Sequence, residues 1–522
     1  MADHVELRTG SYLDSVTLMQ VSRTVAATPG VEAAQVAMAT ELNLDVIRGM
    51  GFEVPASSPN DLIIAIRGDA SGVDAGLAAL EGALTQTRSA ADASGGLGAA
   101  PQARTLGGAI RLSGADLALV SVPGEYAVTE ALDAVRAGIS VMVFSDNVPV
   151  EDEVRLKDAA AAADVLVMGP DCGTAVVGGV ALGFANVVRA GSVGIVAASG
   201  TGAQQVSCLL DAAGVGISHL LGVGGRDLSS AVAARSTRQA LAALAADPET
   251  TSIVVVSKPP APEVLADLET YAAGLGKPVH WATLGAGRPD LTAAVESVLS
   301  AVGVDAPAWP TWSAAADAST TDADATSGSL RGLFCGGTLA DEAMLVAGEV
   351  LGDVRSNIPL RPELALGDDL RDPGHVVIDF GDDTMTVGRA HPMIDPSLRL
   401  ERIAVEGADP TCGVLLVDLV LGHGAHSDPA PELAAAVRSA REVAAAAGRS
   451  LPVVVSVTGT AADPQGLEQS ARALADAGAD VLLSNAAATR HAIHLLGRQT
   501  WPVDAAPSHP TAGARPRSSA HF

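Results

Sequence analysis

The sequence predicts a multidomain α/β protein built on parallel sheets, and three observations carry that expectation. Apolar strand-like runs alternate with amphipathic helical stretches along most of the chain. Those runs end in glycines. The interior must also be filled almost without aromatics, which are 2% of residues against 48% hydrophobic overall. Strand-helix alternation at this spacing means βαβ crossovers, and Ala, Val and Leu around close-approaching glycines suit helices layered on sheets. A chain of 522 residues has room for three or four such domains.

Taken in order, residues 1–88 read as a small α/β unit: a helical stretch at 15–28, strand-like VEAAQVAMA and DLIIAIRG, and a helical run at 73–86. A linker of Ala, Gly, Ser and Asp follows at 89–108. Residues 109–190 repeat strand and helix regularly, with strands in DLALVSVP, ISVMVFSD and DVLVMGPD. Residues 191–304 place strands in SVGIVAASG, ISHLLGVGG, SIVVVSKPP and KPVHWATLG. A second linker, where Pro, Ser, Thr and Asp displace aliphatics, spans 305–329. Residues 330–500 form a third block, with strands in LRGLFCGG, HVVIDFGDD, VLLVDLVLGHG, PVVVSVTGT and DVLLSNAA. The aperiodic tail 501–522 is expected to be disordered.

Charge and composition exclude several classes of function. The net charge of -28 comes from 32 basic against 60 acidic residues, and so acidic a surface repels nucleic acid and anionic membranes. The opening MADHVELRTG lacks a basic segment followed by an apolar one, and no apolar run is long enough to span a bilayer, so a cytoplasmic location is expected. Cys172, Cys208, Cys335 and Cys412 lie far apart, which argues against a disulfide framework and predicts no metal centre.

In open parallel sheets, ligands sit at the carboxyl ends of strands, so the glycine-rich ends are where function is sought. Ser199, Gly200, Thr201 and Gly202 fall between an apolar strand and a helix. Free N–H groups and the positive end of the helix dipole there favour an anion, though the same glycines serve a tight turn. Gly336, Gly337 and Thr338 repeat the arrangement in the third block. Two such loops predict one phosphoryl group held between two helix starts. Gly224, Gly225 and Arg226 end a further strand, with Arg226 placed either to grip phosphate or to pair with Asp227. His391, beside Arg389 and Asp395 in GRAHPMID, is the candidate proton-transfer residue, with Arg389 as a second catalytic candidate; His423 and His426 rank below it. Lys157 and Lys258 show no partner in the sequence, and without GxxxxGK[ST] no nucleotide site is recognised.

At this point the motifs match a known pattern. The run from ADLALVSVP to VMGPDCG resembles the second half of the CoA-binding domain in the α subunit of succinyl-CoA synthetase, and GSVGIVAASGTG with LGVGGRD resembles its ligase domain. FCGGTLADEAM, VVIDFGDD, VLLVDLVLGHG and VVVSVTGT resemble the carboxy-terminal ligase domain of the β subunit. Together with VSVPGEYAVTEALDA, FSDNV and GRAHPMIDPSLR, they are similar to the FdrA family of acyl-CoA-synthetase-like proteins. The resemblance implies a partial Rossmann-like CoA-binding domain at 109–190 and two flavodoxin-like ligase domains at 191–304 and 330–500. It implies two helices aimed at a phosphohistidine, yet KPVHWATLGAGRPD lacks the GHAGA carrier motif. The ATP-grasp domain and the opening βα unit of the CoA domain are likewise missing from the pattern, which argues against ATP use by this chain alone and against CoA, the one cofactor the resemblance suggests.

A site with two phosphate-directed helix ends and no carrier suits an acyl phosphate supplied ready-made. The expected function is an enzyme subunit for acyl or carbamoyl phosphate, such as the FdrA-like component of a multi-subunit oxamate carbamoyltransferase in allantoin breakdown. The alternatives are an NDP-forming acyl-CoA ligase subunit with an ATP-grasp partner and a non-catalytic scaffold. Expected partners are small anionic substrates and other protein subunits.

Overall fold

The structure, a computed structural model, describes residues 2–9, 11, 13, 15–92, 103, 105–313, 328–386 and 389–497. The tail 501–522 lies outside the described residues, as do 93–102 and 104 of the first expected linker and 314–327 of the second. The protein is an α/β chain with four sheets among the described residues.

In the first unit, strand Leu62–Gly68 lies between Ala2–Arg8 and Val31–Met38, antiparallel to both. Its sequence is apolar on both faces because both are covered. Ile64 and Ile66 cluster with Val21, Val25 and Leu80 of helices Ser15–Ala26 and Ala70–Asp92, while Ile63 and Ala65 cluster with Ile47 and Phe52. The second unit is a parallel sheet of Leu117–Val120, Ser140–Val143 and Val167–Met168, flanked by helices Gly124–Arg136 and Val150–Ala162.

The third sheet runs Val279–Thr283, Ser252–Ser257, Ala190–Ala198, Ile217–Gly222, Thr174–Val177, Val180–Gly183. Its last two strands form a hairpin that pairs antiparallel with Ile217–Gly222, so residues 174–183 extend this sheet from before the boundary expected at 190. The fourth sheet runs Thr311–Trp312, Asp480–Leu482, Val453–Thr458, Cys412–Val420, Ser329–Phe334, His375–Asp379, Val354–Ser356. Thr311–Trp312, inside the stretch expected as a linker, adds an antiparallel edge strand, and the Trp312 indole donates to Glu468 at 2.8 Å. Among the described residues, no helix is long and apolar enough to cross a membrane.

The two large sheets share one apolar core. Val206 and Leu209 on helix Gly200–Ala212 cluster with Phe334, Leu339 and Ala343 at and after the start of helix Gly337–Leu351. A buried polar seam fixes their register: Gln205 donates to Leu483 O and accepts from Thr458 Oγ1, both at 2.8 Å, and Asn186 donates to Asp463 at 2.7 Å. Satisfied polar groups of this kind specify one docking arrangement, because any slip would leave them buried and unpaired. The first unit reaches this assembly through Arg23, which donates to both Glu432 oxygens at 2.9 Å and to Ile394 O.

Lys157 does have partners, contrary to the sequence expectation. Its ammonium is fully buried on helix Val150–Ala162 and bonds Glu153 and Asp227 at 2.7 Å and Val223 O at 3.0 Å. Asp227 also accepts from the backbone N–H of Ser236 and Thr237, and Glu153 pairs with Arg226. The trio therefore ties the second unit to the loop that follows Ile217–Gly222. Replacing Lys157 with Met leaves the buried Asp227 without its cation and Glu153 with Arg226 alone, so the urea midpoint should fall by the equivalent of about 3 to 5 kcal/mol. An unchanged midpoint would show the trio to be neutral for stability.

Candidate functional site

Helix Gly200–Ala212 starts at Ser199, whose Oγ accepts from Gly202 N at 2.9 Å. Helix Gly337–Leu351 starts at Gly336, which has no side chain to cap with. The N–H groups just ahead of it, on Cys335 and Gly336, are taken at 2.9 and 3.0 Å by the buried Asp418 carboxylate, which Arg399 holds in turn. Among the described residues, no acceptor meets the backbone N–H of Gly200 or Thr201 on one helix, or of Gly337, Thr338 or Leu339 on the other. A helix start leaves such donors for an anion.

The two starts face each other in contact. Ser199 Oγ and Thr338 Oγ1 are 2.6 Å apart. A Cβ on Gly202 would lie 2.9 Å from Thr338 Cγ2, and one on Gly336 would lie 2.8 Å from Thr201 Oγ1, so glycine is required at both positions by the approach itself. Ser199, Gly200, Thr201, Gly202, Gly336, Gly337 and Thr338 are thus brought together.

Charged groups gather at the same place from strand ends. Lys258, just past Ser252–Ser257, and Asp379, at the end of His375–Asp379, would lie 2.8 and 2.6 Å from a Cβ on Gly337. Asp341 is buried one turn into the same helix. Burial pushes Asp379 up to about 7 and Asp341 to about 6, with Lys258 opposing both shifts. Burial also acts against the charge on Lys258, but Asp341, Asp379, Asp171 and Asp382 outweigh it and hold its pKa above the usual lysine range.

His391 stands beside this group: its Nε2 and Asp379 Oδ1 would lie 2.7 and 3.2 Å from a Cβ on Gly381. It packs on Phe184, its Nδ1 accepts from Met393 N, and burial with the nearby Arg399 lowers its pKa to about 4. The ring is therefore neutral near pH 7, with its proton on Nε2. Arg389 is exposed and makes no ion pair among the described residues. Gly225 meets Asp171 at the edge of the cluster, and Gly224 packs its backbone on Pro170. Arg226 does not pair with Asp227, which turns inward to Lys157; it bonds Glu153 at 3.0 Å and Val148 O at 2.7 Å instead. His426 is tied to Met393 O through its backbone N–H and to Asp428 N through Nδ1.

Asp379, Asp341 and Thr174 were not sequence candidates, and Lys258 was singled out only as a lysine without a partner; the buried Oγ1 of Thr174 lies 3.2 Å from a Cβ on Gly200. A lysine at the carboxyl end of a fully apolar strand was the legible signal for Lys258.

Comparison with known proteins supplies the relatives. Residues 333–495 match the model of the CoA-ligase family, and residues 1–100 match one described as the AllF heavy metal-associated domain. The uncharacterized protein YahF of Escherichia coli strain K12 is 39% identical over 496 residues, covering 92% of this chain and 95% of its own. Subunit alpha 2 of the ADP-forming succinate–CoA ligase of Archaeoglobus fulgidus is 33% identical over 121 residues, 22% of this chain and 42% of its own. Among solved structures, the apo dinucleotide forming acetyl-coenzyme A synthetase 1 of Ca. Korarchaeum cryptofilum is 16% identical, covers 73% of this chain and 83% of its own, and gives a TM-score of 0.25.

Two groups implied by these descriptions can be tested against the residues present. Residues 1–100 contain no cysteine and a single histidine, His4, which bonds Glu6, so the first unit offers no thiolate or paired-imidazole ligand set for a heavy metal. For CoA, the strand-end loops of the second unit carry Glu125, Asp146 and Asp171 and no lysine or arginine, while Arg226 across from them is held by Glu153. Those loops do not fit a diphosphate.

The raised acids fix a pH dependence. Asp341 and Asp379 have folded-state pKa values of about 6 and about 7 against 3.8 for a free carboxyl, so between about pH 4 and 7 the native state binds protons that the unfolded chain has released. The contribution of these two acids to stability therefore falls as pH rises through that window, against an opposite contribution from the lowered pKa of His391. Asp341→Asn should make the fall shallower between pH 4 and 6 by up to about 1.4 kcal/mol per pH unit. Urea unfolding at several pH values measures this, and identical slopes in both proteins would contradict the assignment.

Proposed function

Since this chain belongs to the FdrA family of acyl-CoA-synthetase-like proteins, within the CoA-ligase family, we propose that it is an enzyme subunit that binds an acyl or carbamoyl phosphate and aligns it for transfer of the acyl or carbamoyl group. The observation that carries this reading is the pair of facing helix starts with unoccupied N–H groups on Gly200, Thr201, Gly337, Thr338 and Leu339. A phosphoryl group in front of them would be held by backbone donors and by both dipoles, as the departing phosphate requires when the acyl carbon–oxygen bond breaks. The acceptor attacks the carbonyl carbon, the bonding electron pair leaves with phosphate, and the acceptor's proton passes to a base.

The chain's own residues divide this work. Ser199, Thr338 and Asp418 hold the helix starts in place. Asp379 and Asp341, whose pKa values sit near neutrality, are suited to accept a proton from an attacking nitrogen. His391, neutral beside Asp379, is placed to donate an Nε2 hydrogen bond. The AllF-type match of residues 1–100 supports a place in allantoin catabolism, with oxamate as the carbamoyl acceptor. The second reading, an NDP-forming acyl-CoA ligase subunit, is favoured by the likeness to succinate–CoA ligase alpha subunits and needs a partner for ATP.

The purified chain, with the proteins encoded beside it, should release phosphate from carbamoyl phosphate in the presence of oxamate and leave ATP, CoA and succinate unconsumed. Gly337→Ala, whose methyl would enter the space between Lys258 and Asp379, should reduce that turnover ten-fold or more, on the order of 1 to 2 kcal/mol of lost anion stabilisation. Gly200→Ala meets only Thr174 Oγ1 at 3.2 Å and should cost less. Full turnover by Gly337→Ala would remove the helix starts from the mechanism; consumption of ATP and CoA would favour the ligase.

A further inference from the structure

The facing helix starts do not complete an anion site by themselves, but two side chains without partners stand at them, one at each. Thr174, on the hairpin that joins the third sheet, is 2% exposed, and its buried Oγ1 has no hydrogen-bond partner among the described residues. That oxygen lies 3.2 Å from the Cβ position of Gly200, the first residue of one helix. Lys258 Nζ lies 2.8 Å from the Cβ position of Gly337, the first residue of the other. Its ammonium makes no hydrogen bond or ion pair among the described residues, although Asp341, Asp379, Asp171 and Asp382 surround it. A buried hydroxyl left unpaired and a half-buried ammonium left unpaired both cost free energy that a ligand can recover.

We propose that Lys258 and Thr174 complete a binding site for a tetrahedral phosphoryl dianion, with Lys258 as its fixed cation and Thr174 as a hydroxyl donor at the opposite helix start. The site would take inorganic phosphate and the phosphoryl end of an acyl phosphate. This rests on the reading that the chain handles a phosphoryl group, and it names the groups that hold it. About half a unit from each helix start and one from Lys258 sum to about two positive charges, the part of the site that attracts a dianion against the carboxylates around the lysine. Glycine at 337 leaves the ammonium within reach of the free amides on 337–339, which a side chain there would block. At pH 7 Asp379, with a pKa of about 7, is half protonated and Asp341, at about 6, mostly ionised, so they offset part of that charge and less of it as the pH falls.

Titration calorimetry of the full chain with inorganic phosphate tests the proposal directly. Lys258→Met should weaken phosphate binding at least ten-fold, Lys258→Arg should restore it to within a few-fold, and Thr174→Val should weaken it several-fold, with thermal melts confirming a native fold. Thr174→Val and Lys258→Arg carry the test if Lys258→Met does not fold. Wild-type phosphate affinity in both Lys258→Met and Thr174→Val, or no phosphate binding by the wild type, overturns the site. Turnover of carbamoyl phosphate by the reconstituted enzyme separates this from the broader reading. Turnover with phosphate affinity indifferent to Lys258 would sink the site alone. Lysine-dependent phosphate binding without turnover of any acyl phosphate would sink the transferase reading and leave the site standing.

Discussion

Everything at the centre of this molecule depends on holding two helix N-termini face to face. Each carries roughly half a positive charge, and two such ends a few ångströms apart repel by about 1 kcal/mol at an effective dielectric near 20. The repulsion is contained by direct contact and by negative charge placed behind the ends. Ser199 and Thr338 share a hydrogen bond, and Asp418 binds the two amides ahead of one helix. Arg399 then fixes Asp418 from the helix Ser397–Ala408, so the orientation of Gly336 is set by residues from three elements. The remaining imbalance favours an anion in front of the helices.

That requirement explains features which look unrelated in the sequence. Contact between helix starts needs glycine wherever a Cβ would intervene, as at Gly202 and Gly336. It also needs the two sheets to share one core, because a loose interface would let the repelling ends separate; the continuous cluster from Val206 to Leu339 and the seam of Gln205, Asn186 and Asp463 supply that rigidity. Small side chains suit such close layers better than rings, in keeping with 2% aromatics. The first unit adds a further brace, since Arg23 grips Glu432 and the carbonyl of Ile394, three residues after His391.

Most of the fold was legible because strands buried on both faces appear as continuous apolar runs bounded by glycine, and long-range context is not needed to see them. Strand Ala2–Arg8 was not, since an exposed edge strand carrying Asp3, His4, Glu6 and Arg8 has no apolar run to show. The hairpin Thr174–Gly183 carried a readable signal, Gly178-Gly179 between two apolar pairs with φ of 56° and 81°, but it was concealed among the glycines on either side. The helix starts were readable from local pattern, whereas the charges around them were not. Lys258 meets Asp341 and Asp379, more than eighty residues away in the sequence, and only the parallel sheets bring those strand ends together. Adjacency misled at Arg226 and Asp227, because a turn at a strand end sends neighbouring side chains in opposite directions.

The absence of a carrier motif acquires a physical meaning from this geometry. Where a histidine ferries phosphate, the phosphoryl group arrives already bonded to protein, and the helix ends need only stabilise its charge. A free anion must instead be taken from water, which demands more fixed positive charge and a site that water has largely left. His391 cannot supply that charge, since burial and Arg399 keep it neutral. A lysine, charged across the physiological range and kept so by surrounding aspartates, can. The same aspartates are close enough to neutrality to exchange protons as the anion comes and goes. Under the proposed reading, this set of helix ends, lysine and raised acids would capture a phosphoryl anion directly, without a covalent intermediate on this chain.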